Sequence, residues 1–252
     1  MTSKYPEAQE PNELLRQAMA SKGLSIEDFA DEIGRSPRTV GRWLAGGKPS
    51  LAGAKAAAEY FGLTIADLWP DRWPNLDPPS SGTVAVSAYT MRSDVPQTVW
   101  RELFHDATES IDILVYGGTF LFDAVAKFTK ALTHAAKHND VKVRILIGNP
   151  ASRAVKIRGI EEDIDDSLAD RCDMTLKRFK DVDPTNIDIR LHDTSLYTSM
   201  FRADDTLIAN HHLYGSPASD NPCFVIEADQ HPELWASYEE TFERVWKLGT
   251  PT

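Results

Sequence analysis

Up to about residue 69 the apolar positions recur at three- and four-residue spacing in short runs. Each run is stopped by glycine and restarted by a hydroxyl side chain, a pattern that predicts short helices. Leu14, Leu15, Ala18 and Met19 line the first, closed by Gly23. Ser25 caps a second that buries Phe29, Ala30 and Ile33 and stops at Gly34. Ser36 before Pro37 is an N-cap with proline at the first helical position; this third helix turns Val40, Trp43 and Leu44 inward and ends at Gly46-Gly47. Ser50 opens a fourth helix through Ala58 and Phe61, and Thr64 a fifth reaching Leu68. Residues 1–69 are thus expected to form an all-α domain. Residues 70–84, with Pro70, Pro74, Pro78 and Pro79 and no periodicity, read as a proline-stiffened linker. From 85 to 252 the texture changes. Strand-like runs occur at Ile111–Gly117, Val141–Gly148, Ile187–Leu191, Leu196–Arg202, Thr206–Ala209 and Cys223–Glu227, with helical patterns at 96–109, 119–138, 155–180 and 231–247. That alternation predicts an α/β domain.

Composition changes the picture in one respect. With 252 residues, 42% hydrophobic and 26% charged, the chain suits one medium or two modest folded domains and excludes disordered, collagen-like and coiled-coil classes. Two cysteines exclude a disulfide scaffold and a four-cysteine zinc site. No apolar run approaches a membrane span and MTSKYPEAQEP is no signal peptide, so a cytoplasmic protein without a membrane partner is expected. The net charge of −11 argues against nucleic acid until its distribution is read. Residues 1–75 hold nine Lys and Arg against ten Asp and Glu, which leaves eighteen against twenty-eight for the rest. Between Arg35 and Lys48 there are three arginines, one lysine and no acid, so DNA contact is confined to the N-terminal part.

Gly23 through Ser50 has the parts of a helix-turn-helix: a positioning helix, a glycine turn, then a helix with one apolar and one basic face. Residues 11–69 resemble the lambda-repressor/Cro-like, xenobiotic-response-element family of bacterial regulators. The resemblance implies that Arg38, Thr39 and Arg42, facing out, read base edges, with Ser36 and Arg35 at the groove entrance and Lys48 on phosphate. Where that family usually carries glutamine early in the positioning helix, this chain has Ile26, which removes one phosphate contact. A lone domain of this size makes few contacts, so a homodimer on a palindrome-like double-stranded operator is expected. A generic helical interaction domain is the other reading.

The stretch Leu196–Gly215 (LYTSMFRADDTLIANHHLYG) resembles the strand-turn-strand of phospholipase D-like phosphodiesterases, whose signature is H-x-K-x4-D followed by G-S-x-N. Laid on this chain, the family's histidine falls on Tyr197, its lysine on Ser199 and its aspartate on Asp204, and only the aspartate survives. Much of residues 85–250 also looks like an uncharacterised domain that follows this helix-turn-helix in actinobacterial regulators. The resemblance implies a phospholipase D-like α/β domain with no catalytic residues of the family's kind. What remains is a polar face, Arg190, His192, Tyr197, Ser199, Asp204, Asn210, His212 and Tyr214. Period-2 alternation places Tyr197, Ser199 and Phe201 on one side and Arg202 on the other. Such a face can hold a small polar or phosphorylated effector, or its groups can satisfy one another at a dimer interface; the two are compatible. An enzyme using Tyr197 or His212 as replacement nucleophile, or a module that only dimerises, are the rival classes.

Other candidates carry less. The acidic run Glu161–Asp166 is read as a solvated helix start, Glu162 and Asp166 sharing a face. His211-His212 lacks a third ligand, and His134 and His138 lack the glutamate of a zinc-protease helix. Gly117-Gly118 follows a strand but fits neither phosphate-loop pattern. No cofactor or metal is expected. Cys172, Cys223, Trp100, Trp235 and Trp246 are expected to be packing residues.

Overall fold

The structure, a computed structural model, describes residues 10–70, 86–180, 182 and 185–252. The chain divides into two compact units, Met1–Gly82 and Thr83–Thr252. Apart from Pro70, the expected linker 70–84 lies outside the described residues.

The first unit is five helices: α1 (Glu13–Ser21), α2 (Ile26–Glu32), α3 (Pro37–Leu44), α4 (Leu51–Phe61) and α5 (Ile65–Leu68). Each starts where a side chain can replace the missing acceptor of the first turn. Asn12, Ser25, Ser36, Ser50 and Thr64 are the caps, and Ser25 with Asp28 and Thr64 with Asp67 form reciprocal capping boxes. Leu15, Phe29, Ala30, Val40 and Trp43 are fully buried, and Phe29 packs on Phe61 with ring centroids 4.9 Å apart. The turn from α2 to α3 works because Gly34 takes φ +64 and donates to the Asp31 carbonyl while Arg35 donates to Ala30.

The second unit is built on one eight-stranded mixed sheet. Its strands are β1 (Ser87–Tyr89), β2 (Ser110–Val115), β3 (Lys142–Gly148), β4 (Ile187–His192), β5 (Thr198–Ala203), β6 (Thr206–His211), β7 (Cys223–Glu227) and β8 (Thr250–Pro251), in the order β1-β7-β6-β5-β2-β3-β4-β8. The pairs β2–β3 and β3–β4 are parallel and the rest antiparallel. Helices α6 (Gln97–His105), α7 (Leu121–Ala124), α8 (Phe128–His138), α9 (Arg153–Glu161), α10 (Ser167–Phe179) and α11 (Pro232–Leu248) complete it. The α/β class expected for this part is therefore observed. No helix among the described residues is long and apolar enough to cross a membrane.

Alternation along the central strands separates two environments. From β5, Phe201 points into a cluster with Trp100 of α6 and Phe120, at 5.1 and 5.4 Å between ring centroids. Arg202 points to the opposite face, as the period-2 reading expects, and meets Asp112 of β2 and Glu239 of α11. Arg144 of β3 joins the same group, donating to both oxygens of Asp112 at 2.7 and 2.8 Å and pairing with Glu243 at 2.7 Å. Asp112 is 1% exposed there. The Trp100, Trp235 and Trp246 side chains and both cysteines are buried packing residues, as expected.

Two helical stretches are broken where a continuous pattern is predicted. The 119–138 run splits because Val125 turns extended after α7 and Lys127 takes φ +56 at the start of α8. The 155–180 run splits at the acidic stretch, where Asp163 and Asp165 take φ +54 and +43. The acidic run is thus the turn between two helices and leads into the start of the second, Asp166 being the N-cap of α10. Glu162 caps the C-terminus of α9 and receives the Arg158 Nε–H at 2.7 Å. That turn crosses so close to α9 that a Cβ on Gly159 would overlap the Asp165 carbonyl oxygen.

Candidate functional site

Two places carry chemistry, one in each unit. In the first, α3 is anchored from below and exposed above. Trp43 and Val40 fill the core, while Arg38 is exposed and makes no hydrogen bond or ion pair among the described residues. Lys48 is also exposed. Ser36 is committed to the helix start, its Oγ accepting from the Thr39 N–H at 3.2 Å. Thr39 departs from the outward placement expected of it. It is only 7% exposed, with its hydroxyl 3.0 Å from that of Ser36, because the second residue after the proline turns back under the cap. Arg42 is half-buried and donates from Nη1 to the Lys48 carbonyl at 2.9 Å. The loop that Arg42 closes is tight: a Cβ on Gly47 would lie 2.6 Å from Arg42 Cγ. Arg35 is half-buried, its backbone N–H closing the preceding turn.

In the second unit a pocket opens at the ends of β2 and β5, with about 80 Å³ of space for solvent. Ser199 and His212 line it, and Ser199 Oγ lies 3.0 Å from His212 Nε2. His212 Nδ1 is 3.2 Å from the Leu196 carbonyl, so Nδ1 carries the proton and Nε2 accepts from the serine. The imidazole stacks on Tyr116 at 5.7 Å. Burial, aided by the charges of Arg158 and Arg92, pushes the imidazole pKa down to about 4, so His212 is neutral near pH 7.

The other residues expected on this face are dispersed. Asp204 turns β5 into β6 at φ +49, and its carboxylate accepts from the N–H groups of Thr108, Glu109 and Ser110 and from the Thr108 hydroxyl, all within 3.0 Å. It pins the chain into β2 and has no part in the pocket. Asn210 is fully buried; its amide donates to three backbone carbonyls, and its oxygen accepts from Arg92 Nη1 at 3.3 Å. Arg190 sits near the far edge of the sheet, its guanidinium 4.1 Å from the Trp246 ring and bonded to the Trp246 carbonyl. His192 is 2% exposed, with Nε2 3.0 Å from the Val115 carbonyl, and burial lowers its pKa. Tyr197 and Tyr214 do not line the pocket and are exposed, at 81% and 85%. Tyr197 is therefore badly placed as a replacement nucleophile. Of the eight predicted residues only Ser199 and His212 line the pocket.

Sequence reasoning missed the pocket's cations. Arg92, ahead of α6, lies with its guanidinium 4.0 Å from the Phe120 ring centre, and Arg171 comes from α10. Burial lowers the pKa of Arg92 and Arg171 acts in the same direction, while the charges of Glu162 and Asp220 oppose the shift. Glu162 also lines the pocket, paired with Arg158, which pairs with Glu161 as well. Gly117-Gly118, read as a candidate phosphate loop and set aside, does form one wall; it was the available signal. Among the described residues no His, Cys, Asp and Glu group is arranged to hold a metal.

Residues 15–68 match the family model described as helix-turn-helix. No curated protein matches the chain. Three solved structures are similar at low identity. TrmBL2, an archaeal chromatin protein, shares 15% identity at a TM-score of 0.42, over 69% of this chain and 56% of its own. NucT from Helicobacter pylori shares 11% at 0.38, over 67% and 99%. The phosphatidylserine synthase of Haemophilus influenzae Rd KW20 shares 13% at 0.43, over 88% and 54%. The match thus spans little more than half of the chromatin protein and of the synthase.

Proposed function

We propose that the chain is a sequence-specific DNA-binding transcriptional regulator, a homodimer on a palindrome-like operator, whose second unit senses an effector. The observation that carries this reading is α3: a helix anchored by Trp43 within a match to the helix-turn-helix model, offering Arg38 free and exposed in an acid-free segment. Side chains at that position of such a helix reach base edges in the major groove. Domain limits near 69 and 85 belong to the same proposal, as does the phospholipase D-like reading of the second unit. In this reading the second unit binds an effector. Of the two candidate replacement nucleophiles, Tyr197 is outside the pocket and His212 lines it; turnover of a generic phosphodiester that is lost in His212→Ala would favour the enzyme instead.

Binding of the full-length protein to its own upstream DNA, across a salt series, tests it. Specific retention with affinity falling steeply as salt rises is expected; equal retention of unrelated DNA at every salt would sink it.

The dimer has its own test. Tyr197, Leu213 and Tyr214 are exposed apolar side chains, and the His212 N–H bonded to the Tyr197 carbonyl at 2.8 Å ties the two segments together. Exposed apolar side chains on joined segments suit a partner, and in this reading a two-fold operator makes that partner a second copy. Tyr197→Ser with Tyr214→Ser is expected to shift sedimentation from dimer to monomer. A wild-type monomer at all concentrations, or an unaltered dimer in the double variant, would rule this surface out.

A further inference from the structure

We propose that the pocket of the second unit is a receptor for a tetrahedral oxyanion, the phosphate group of a small monoester, and that seating the anion draws a proton onto His212. This deepens the sensor part of the reading above and stands apart from its DNA step.

The charge balance of the pocket carries the argument. Arg92 is withdrawn from water against Phe120, has a single side-chain hydrogen bond, to Asn210, and has no carboxylate within ion-pairing distance among the described residues. Buried cations are ordinarily paired, because an uncompensated charge in a low-dielectric site is costly. Arg171 adds a second positive charge to the same walls. The one acidic side chain among the described residues lining the space, Glu162, is held by Arg158 at 2.7 Å; its charge and that of Asp220 favour the Arg92 cation, but neither carboxylate pairs with it. What Arg92 lacks is an anion in direct contact, and the ligand supplies it. Arg92 comes from the segment before α6, Arg171 from α10, Ser199 from β5 and His212 from the end of β6. Donors arriving from four elements suit the several oxygens of a tetrahedral group better than a planar carboxylate, which one arginine can satisfy alone.

His212 supplies the proton linkage. Without an anion its Nε2 is a lone-pair nitrogen accepting from Ser199. Arg158 on α9, Arg92 and His211 all oppose a positive imidazole; Tyr116 covers one ring face, with His192 beyond it, and Glu161 and Glu162 are engaged with Arg158. An anion beside Arg92 offsets that repulsion. The imidazole then takes a proton from solvent at Nε2, becoming a donor, and Ser199 is freed to turn its own O–H toward the anion. A pKa raised by the bound anion gives binding that is tightest at low pH and weakens as pH rises through the bound-state pKa.

Sulfate is the probe, because unlike phosphate it does not titrate near neutrality. It is titrated into the full-length protein without DNA, in two buffers of different ionisation enthalpy. The expected result is saturable binding with proton uptake, at least about tenfold tighter near pH 5.5 than near pH 8. Phenyl phosphate should bind at the same site and acetate should not. Arg92→Gln should abolish binding, and Arg171→Gln, a surface change, should weaken it without altering the thermal midpoint. His212→Gln should still bind, with no proton uptake and a flat pH profile. No saturable binding of sulfate or phenyl phosphate overturns the proposal, and so does a pH slope that survives in His212→Gln. Loss of DNA binding beside an intact sulfate titration overturns the regulator reading and leaves the pocket standing.

Discussion

Asp112→Ala should destabilise the second unit by about 3–5 kcal/mol, the range seen when one partner of a buried charge group is removed. The carboxylate is 1% exposed and lies between two guanidinium groups that are themselves only 12% and 11% exposed. Arg144 binds it through both oxygens, and Arg202 reaches the same side chain from the neighbouring strand. Burial works against the Arg144 cation, but Asp112 and then Glu243 raise its pKa above the ordinary arginine value. Taking Asp112 away leaves two like charges under α11, compensated among the described residues by Glu239 and Glu243 at the rim. Calorimetric unfolding of the full-length variant would show the loss in the transition belonging to the second unit. Replacing all three, Asp112→Leu with Arg144→Met and Arg202→Met, should restore most of the stability, because the cost lies in the orphaned charges and not in a missing attraction. A single Asp112→Ala variant as stable as the wild type would mean that water reaches the cluster freely.

The arginines of α3 should separate into two kinds. Arg38→Ala is expected to weaken specific DNA binding by about 1–3 kcal/mol, the usual worth of one good base contact, and to leave thermal stability unchanged. Its side chain is exposed and bonded to nothing else among the described residues. Arg42→Ala should lower both affinity and thermal midpoint, since Arg42 also closes the loop through the Lys48 carbonyl. Measuring both quantities on both variants decides the matter. Equal losses of stability would mean that Arg38 is structural, and unchanged affinity in Arg38→Ala would remove it from the proposed reading surface.

How much was legible depended on how local the determinants are. The first unit is written in caps and stops: Ser36-Pro37, Gly34 and Ser50 each act within a few residues, and the five helices appear where those signals place them. The second unit's central strands were readable from their apolar runs. The edge strands β1 and β8 were not, because two or three exposed residues carry no alternation. Nor could periodicity reveal that Asp163 and Asp165 would adopt left-handed backbone and break a helix. The pocket was the hardest part. Ser199 and His212 could be found from one hairpin, but Arg92 and Arg171 come to it from remote segments, the turn before α6 and helix α10. Asp204 misled for the opposite reason: a carboxylate at a suggestive spacing is spent on the backbone of a neighbouring loop.

The two ends of the sheet bear on how copies of the protein can associate. One border is a three-residue strand, Ser87–Tyr89, and the other a two-residue strand that finishes in Pro251, which has no N–H to give. An incoming strand would find at most two or three rungs to pair with at either border. Ribbon-like growth, edge to edge, is therefore disfavoured, and concentrated protein should form discrete particles before it forms fibrils. Contacts between copies then rest on side chains and not on a backbone ladder, so they can come apart without unzipping the sheet.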